Sequence, residues 1–551
     1  MKRNLPSCAL LVLALCLVQC HPPSYHSPQK AAGAQEMIVL QDESPVDVIR
    51  ARTAPDPTEM EPADLHGEGY LEIVENDFQN ALDHPHSTFA IDVDNASYSN
   101  IRRLLTSGYP PPIDAVRIEE MINYFNYDYP EPEGEDPFAV SAEVATCPWN
   151  PQHRLLQIGI QGRKIPTTHL PPNNLVFLID ASGSMQSPEK LPLLQSALRM
   201  LVREMRPQDR VAIVVYAGAS GLVLPSTSAA QKGRILSAIN ALQAGGGTAG
   251  AAGIQLAYKV ARENWLSRGN NRVILATDGD FNIGVQSTAE LVRLIESQRQ
   301  SGVYLSVLGF GRGNLQDGKM EQLAKHGNGN YAYIDRLAEA EKVLIREMSG
   351  TLLTIAKNVK LQLEFNPTQV REYRLIGYEN RLLAAEDFND DRRDAGELGA
   401  GHSVTALYEI VPASNPPPAK TSPVDPLKYR STQLLPEALR GDLLTLKLRY
   451  QRPGTEQSKG LEYVVVDKGL ALEHSSTDFR FAAAVAGFGL LLRHSPHRGE
   501  ASWAMVSDLA RSGLGPDPYD LRHEFLTLVQ LASDQGVAAP YRDGRRLKAA
   551  N

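Results

Sequence analysis

Three short stretches of this chain end in oxygen-bearing side chains whose spacing suits a hard metal ion. Asp180-Ala181-Ser182-Gly183-Ser184 follows the apolar run Leu175–Ile179 and sets one carboxylate and two hydroxyls at alternating positions on a turn. Gly245-Gly246-Gly247-Thr248 precedes a helical pattern and offers a third hydroxyl. Thr277-Asp278-Gly279-Asp280 follows Val273–Ala276 and offers further carboxylates. Such oxygens suit Mg²⁺, Mn²⁺ or Ca²⁺, not a metal that seeks thiolates. Neutral hydroxyls leave the ion short of negative charge, so it retains affinity for a carboxylate from outside.

The elements around these stretches predict how they meet. Strand patterns at Leu175–Ile179, Arg210–Tyr216, Val273–Ala276, Tyr304–Phe310 and Tyr331–Ile334 alternate with helical ones. The helices are expected at Leu191–Met205, Ala229–Leu242, Ala252–Trp265, Ala289–Gln300, Met320–His326 and Ala338–Leu353, with Leu222–Leu224 a short edge strand. Alternation of this kind implies an α/β fold, a doubly wound and mostly parallel sheet covered by helices on both faces. In such sheets ligands gather outside the carboxyl ends of the strands, where the strand order reverses. Asp180, Thr248 and Asp278 all fall at that edge.

Asp180, Ser182, Ser184, Thr248 and Asp278 together resemble the metal-ion-dependent adhesion site of von Willebrand factor type A (VWA) domains. The resemblance implies that these five residues hold a divalent ion, Mg²⁺ with Mn²⁺ or Ca²⁺ as alternatives. It also implies that a protein partner's Asp or Glu completes the coordination. Asp280 reads as a residue that solvates its loop. The flanks carry a second likeness: Ser87–Tyr98 and Arg117–Phe125 resemble a segment found before type A domains in bacterial exported proteins. Arg374–Arg381 and Gly401–Ile410 resemble its C-terminal companion domain.

The rest of the chain bounds the setting. At 551 residues it exceeds one core, and a net charge of −9 without any basic run argues against nucleic acid as partner. Residues 1–20 read as a signal peptide: Lys2 and Arg3 precede the short apolar Ala9–Val18, and the segment ends in Leu17-Val18-Gln19-Cys20. That end resembles a bacterial lipobox, which implies lipidation at Cys20 and an anchor in the cell envelope, on the outer membrane or periplasmic face. Of the four cysteines only Cys147 lies beyond this segment, so no intrachain disulfide is expected in the mature protein. Residues 21–66, rich in Pro, Ser, Ala and acidic groups, read as a disordered tether.

Three folded parts are then expected: an N-terminal VWA-associated segment at 67–165, the VWA metal-binding domain at 172–355, and a C-terminal β-sandwich plus helical domain at 356–551. From Gly67 to about Pro130 the pattern reads as helical. Strands expected near 138–160 and 359–466 are proposed to share one sandwich, with the metal domain inserted between them. The apolar run Phe481–Leu492 is about half the ~20 residues that cross a bilayer and reads as a buried helix. Asp387–Asp391 lacks the Gly and Glu of a Ca²⁺ loop, and His402 reads as structural; Asp92 and Asp94 could share an ion, and a strand end followed by a helix cap explains them as well.

The function these readings favour is a divalent-metal-dependent, protein-binding module of adhesion type in an envelope lipoprotein, not an enzyme. A scaffold or regulator of an envelope assembly or ATPase partner is the alternative. A metal-assisted hydrolase fares worse, because no general base or nucleophile accompanies the oxygens in sequence.

Overall fold

The computed structural model describes residues 67–537, apart from 218, 247–249, 280–287, 348–352, 394 and 414–433. The expected leader with Cys20 and the expected tether lie outside the described residues, as do Thr248 and Asp280.

A six-stranded sheet sits at the centre, in the spatial order Tyr331–Ile334, Tyr304–Phe310, Asn270–Thr277, Asn173–Asp180, Arg210–Ala217 and Ala219–Ser228. All neighbours are parallel except the last pair, in which the edge strand runs antiparallel. The central strand Asn173–Asp180 is buried along its whole length, as expected where helices cover both faces. Its side chains alternate between them. Val176 and Leu178 pack with the helices Gly250–Glu263, Thr288–Arg299 and Asp317–His326. Leu175, Phe177 and Ile179 pack with Leu191–Glu204 and Lys232–Asn240 on the other side. The chain winds one way from this strand to Arg210–Ala217 and the other way to Asn270–Thr277. The strand order therefore reverses beside the carboxyl end of Asn173–Asp180.

Two antiparallel sheets form a sandwich from both flanks. One runs Gln79–Asn80, Val370–Ile376, Ser403–Pro412, Arg154–Gly162, Phe138–Thr146. The other runs Leu382–Leu383, His86–Ala90, Thr354–Phe365, Leu444–Gln451, Ser458–Val465. Strands from before and after the α/β domain are direct neighbours, with Leu156 opposite Tyr408 and Phe89 opposite Leu361. The α/β domain is thus inserted between the sandwich strands Arg154–Gly162 and Thr354–Phe365. The boundaries 67–165 and 356–551 divide the sequence, whereas packing joins the two flanks into one core.

The first sheet is buried on both faces. Leu156, Ile158 and Tyr408 point to the sandwich interior, while Leu155 and Leu407 point to a helical layer. That layer contains Ala96–Thr106 and Ile118–Asn123 together with Thr477–Leu492, Trp503–Ser512 and Leu521–Asp534. Within it every residue from Phe481 to Leu492 is buried. No helix among the described residues is long and apolar enough to cross a membrane.

Two local expectations are corrected. The stretch from Gly67 to Pro130 is not uniformly helical, because Gln79–Asn80 and His86–Ala90 are sandwich strands. Five residues are too few for either period to declare itself. The helix expected over Ala338–Leu353 stops being α-helical after Leu337–Glu341 and opens into a π-helical turn at Lys342–Arg346. There the Lys342 ammonium reaches Glu347 at 2.6 Å and lies 4.0 Å above the Tyr124 ring, contacts made outside the helix itself.

Candidate metal centre

Asp180 ends the central strand and is fully buried. A buried carboxylate must find donors, and Asp180 finds them on Ser182, Tyr216 and Thr277. The Ser182 amide lies 2.9 Å from Oδ1, while the hydroxyls of Tyr216 and Thr277 lie 3.1 and 3.2 Å from Oδ2. Burial nevertheless raises its pKa, the Ser182 bonds oppose this, and the Asp278 charge adds to it. The turn then places Ser182 Oγ 3.0 Å from Ser184 Oγ. Ser182 is buried and Ser184 exposed, so the cluster opens to solvent on the Ser184 side.

The glycine loop is latched to this turn by two backbone bonds. Gly245 donates to the Ala181 carbonyl at 2.8 Å, and Gly183 donates to the Gly246 carbonyl at 3.2 Å. The third loop begins at Asp278, which is also fully buried. Gly279 follows it at φ +95°, and a Cβ there would lie 2.5 Å from the Gln316 amide nitrogen. Only glycine permits that approach, which brings Asn314 to the site: its side-chain amide donates to Asp278 Oδ2 at 3.1 Å.

The same oxygen receives a cation from within the chain. Lys190 Nζ lies 2.9 Å from Asp278 Oδ2 and 3.3 Å from Asn314 Oδ1. Burial would raise the Asp278 pKa, but Lys190, Asn314 and the Ser184 hydroxyl outweigh it and hold the carboxyl below its ordinary range. Neither Lys190 nor Asn314 stands out in the sequence motif. One signal was available. Lys190 directly precedes the helix Leu191–Glu204, where a cation opposes the helix dipole. A carboxylate partner accounts for that placement.

Asp180, Ser182, Ser184 and Asp278 therefore meet at one edge, and the loop that leads to Thr248 touches them. The donors fit a hard divalent ion. Two ligands at neighbouring corners of an octahedron with ~2.1 Å bonds stand about 3.0 Å apart, which is the separation of the two serine hydroxyls.

A profile of the von Willebrand factor type A domain matches residues 174–345, and one described as von Willebrand factor matches residues 64–157. A third, described as the C-terminal part of the protein YfbK, matches residues 350–534. The chain is 43% identical over 471 residues to YfbK of Escherichia coli, covering 84% of this chain and 80% of that protein. The chain belongs to the YfbK family. Within this YfbK-family chain the VWA match coincides with the α/β domain, and the two other profiles cover the flanks that build the sandwich and helical layer. Part of the chain is also similar to human inter-alpha-trypsin inhibitor heavy chain H3. There the identity is 26% over 258 residues, covering 43% of this chain and 28% of that protein. Among solved structures, a von Willebrand factor type A protein from Catenulispora acidiphila aligns with a TM-score of 0.39 and 16% identity. That alignment covers 74% of this chain and 91% of that one.

Proposed function

We propose that this protein grips an acidic group on a protein partner through a divalent ion, in the first instance Mg²⁺, held by Asp180, Ser182, Ser184, Thr248 and Asp278. One observation carries the reading: Lys190 already pairs with Asp278. Two aspartates bring two negative charges and Lys190 returns one positive, so a divalent ion leaves the site with one positive charge in excess. A single partner carboxylate balances it. The ion, when bound, supplies a Lewis-acidic position open to that oxygen, and the exposed side of Ser184 is where a partner approaches.

We propose a binding role rather than a catalytic one for the same groups. The titratable side chains described at the site are Asp180, Asp278, Lys190 and Tyr216, and each is buried and engaged in hydrogen bonds or an ion pair. None is placed as a proton acceptor for an attacking water. We further propose that the molecule works in the bacterial envelope, held by a lipid on Cys20, with 21–66 as its tether.

The test is a pull-down from envelope extract with the full-length protein in Mg²⁺, repeated in EDTA and with Asp180→Ala. A partner captured only by the wild-type protein in Mg²⁺ supports the reading. A partner retained equally in all three overturns it.

A further inference from the structure

Away from the VWA site, three carboxylates meet in the protein interior. Asp94, Glu120 and Glu321 are each at most 4% exposed, and each offers an oxygen within 4.8 Å of those of the other two. They come from separate elements. Asp94 precedes the helix Ala96–Thr106, Glu120 belongs to Ile118–Asn123, and Glu321 belongs to Asp317–His326 of the VWA domain.

Two of them are partly satisfied. Asp94 accepts the Tyr331 amide at 2.7 Å and Arg381 Nη2 at 3.2 Å. Glu120 accepts the Ser97 amide at 2.9 Å and bonds from Arg117, which also pairs with buried Asp317. Glu321 differs. Among the described residues its Oε2 is buried without a hydrogen-bond partner, and Arg381 stands 3.7 Å from its other oxygen. An unpartnered buried carboxylate oxygen is costly, and the carboxylate that carries it belongs to the cluster.

Charge counting gives the size of the deficit. Fully ionised, Asp92, Asp94, Glu120, Asp317 and Glu321 would bring five negative charges, a burden that burial resists at Asp94 and Glu120. Arg117 and Arg381 bring two positive ones, and Lys325, which feels Asp92, Asp94 and Glu321, brings a third. Two negative charges remain, the complement of one divalent cation. Two of the three residues also border cavities, while Glu120 lies behind them. Asp94 and Arg381 line a cavity of about 780 Å³, and Glu321 and Lys325 line another of about 710 Å³.

We propose that Asp94, Glu120 and Glu321 form a second divalent-cation site, of the Ca²⁺ class, that clamps the N-terminal helices to the VWA domain. Carboxylates without hydroxyls or thiolates, some already carrying hydrogen bonds, suit Ca²⁺ and its tolerance of irregular geometry better than Mg²⁺. The site is independent of Asp180 and Asp278 and stands or falls separately from them.

The experiment uses the full chain with Ser182→Ala and Ser184→Ala, which disables the first site without changing buried charge. Tb³⁺ is titrated while tyrosine is excited. Tyr331, whose amide bonds Asp94 and whose hydroxyl bonds Asp317 at 2.9 Å, serves as the sensitiser. Saturable emission at one Tb³⁺ per chain is expected, displaced by Ca²⁺ and weakened about tenfold or more by adding Glu321→Gln. Ca²⁺ should also raise the melting temperature of the double variant and lose that effect once Glu321→Gln is added. Absence of saturable emission overturns the proposal, as does emission unchanged by Glu321→Gln. A melting temperature that ignores Ca²⁺ while Glu321→Gln alone raises it overturns the proposal too, and shows that the carboxylates are discharged by protons. Glu120→Gln, read in the same way, serves where Glu321→Gln does not fold.

Discussion

Lys190 Nζ stands 2.9 Å from Asp278 Oδ2, so an ammonium of the chain itself is bonded to a carboxylate that the VWA likeness assigns to the metal. The pair is almost closed to solvent, with side-chain exposures of 9% and 0%. Removing one partner of such a pair leaves the other buried without compensation, at a cost of about 3–5 kcal/mol.

Lys190→Met is therefore expected to lower the melting temperature of the metal-free protein. Mg²⁺ or Mn²⁺ should then raise it more than in the wild type, because the ion meets an uncompensated Asp278. The site loses its excess positive charge at the same time, so affinity for an acidic partner should fall while metal affinity rises. Differential scanning fluorimetry with and without metal reads the first two effects, and calorimetry with an acidic peptide reads the third. A metal response equal to that of the wild type would show that Lys190 does not set the charge of the site.

Arg102 predicts how the parts unfold. It is 2% exposed and pairs with Asp335 and Glu339 of the VWA domain and with Glu524 of the C-terminal helix Leu521–Asp534. Arg102→Ala should destabilise the whole described body by about 3–5 kcal/mol. Chemical denaturation followed by tyrosine and tryptophan signals should still show one transition, shifted. Two separated transitions in the wild type would mean that the inserted domain and its flanks fold independently.

Glu119 predicts a pH dependence. Burial pushes its pKa up to about 7 from an ordinary 4.5, the charge of Glu379 adds to the shift, and Arg493 offsets part of it. One of its oxygens, Oε2, is buried without a hydrogen-bond partner among the described residues. The folded protein then holds a proton that the unfolded chain releases between pH 4.5 and 7. Stability contributed by the neutral form is full below that window and falls as pH rises through it. Glu119→Gln should flatten this decline and stabilise the protein at pH 8 by about 1–3 kcal/mol. Urea denaturation at pH 5 and pH 8 checks it, and equal losses in variant and wild type would contradict it.

Cys20 predicts an anchor. Cys20→Ser should abolish incorporation of labelled palmitate and move the protein from the membrane to the soluble fraction. Label retained by the variant would rule out Cys20 as the lipid site.

The convergence of Asp180, Ser182, Ser184 and Asp278 was legible because each residue follows an apolar run that reads as a buried strand, and parallel strands bring such ends to one edge. Lys190 was not legible. Its role depends on a fold that carries a long side chain from the helix start across to Asp278, and spacing in the chain does not encode that reach. The sandwich strands were readable one by one at 138–160 and 359–466. His86–Ala90 was readable only through the strand end at Asp92, because it is short and lies among helical patterns. The pairing of Phe89 with Leu361 rests on contacts between residues far apart in sequence, which local periodicity does not specify. The cluster of Asp94, Glu120 and Glu321 stayed hidden for the same reason. Asp94 reads as a helix cap or as sharing an ion with Asp92, and nothing local ties it to Glu120 or Glu321.

Water-proton relaxation by bound Mn²⁺ tests the central claim most directly, because it reports whether the ion in the VWA site keeps a position that water, and hence a carboxylate, can take. The difference between the wild-type protein and the Ser182→Ala, Ser184→Ala variant isolates that site. The account predicts an enhancement specific to the wild type that falls when an acidic peptide is added in excess. No difference between the two proteins, or an enhancement that the acidic peptide leaves untouched, would contradict it.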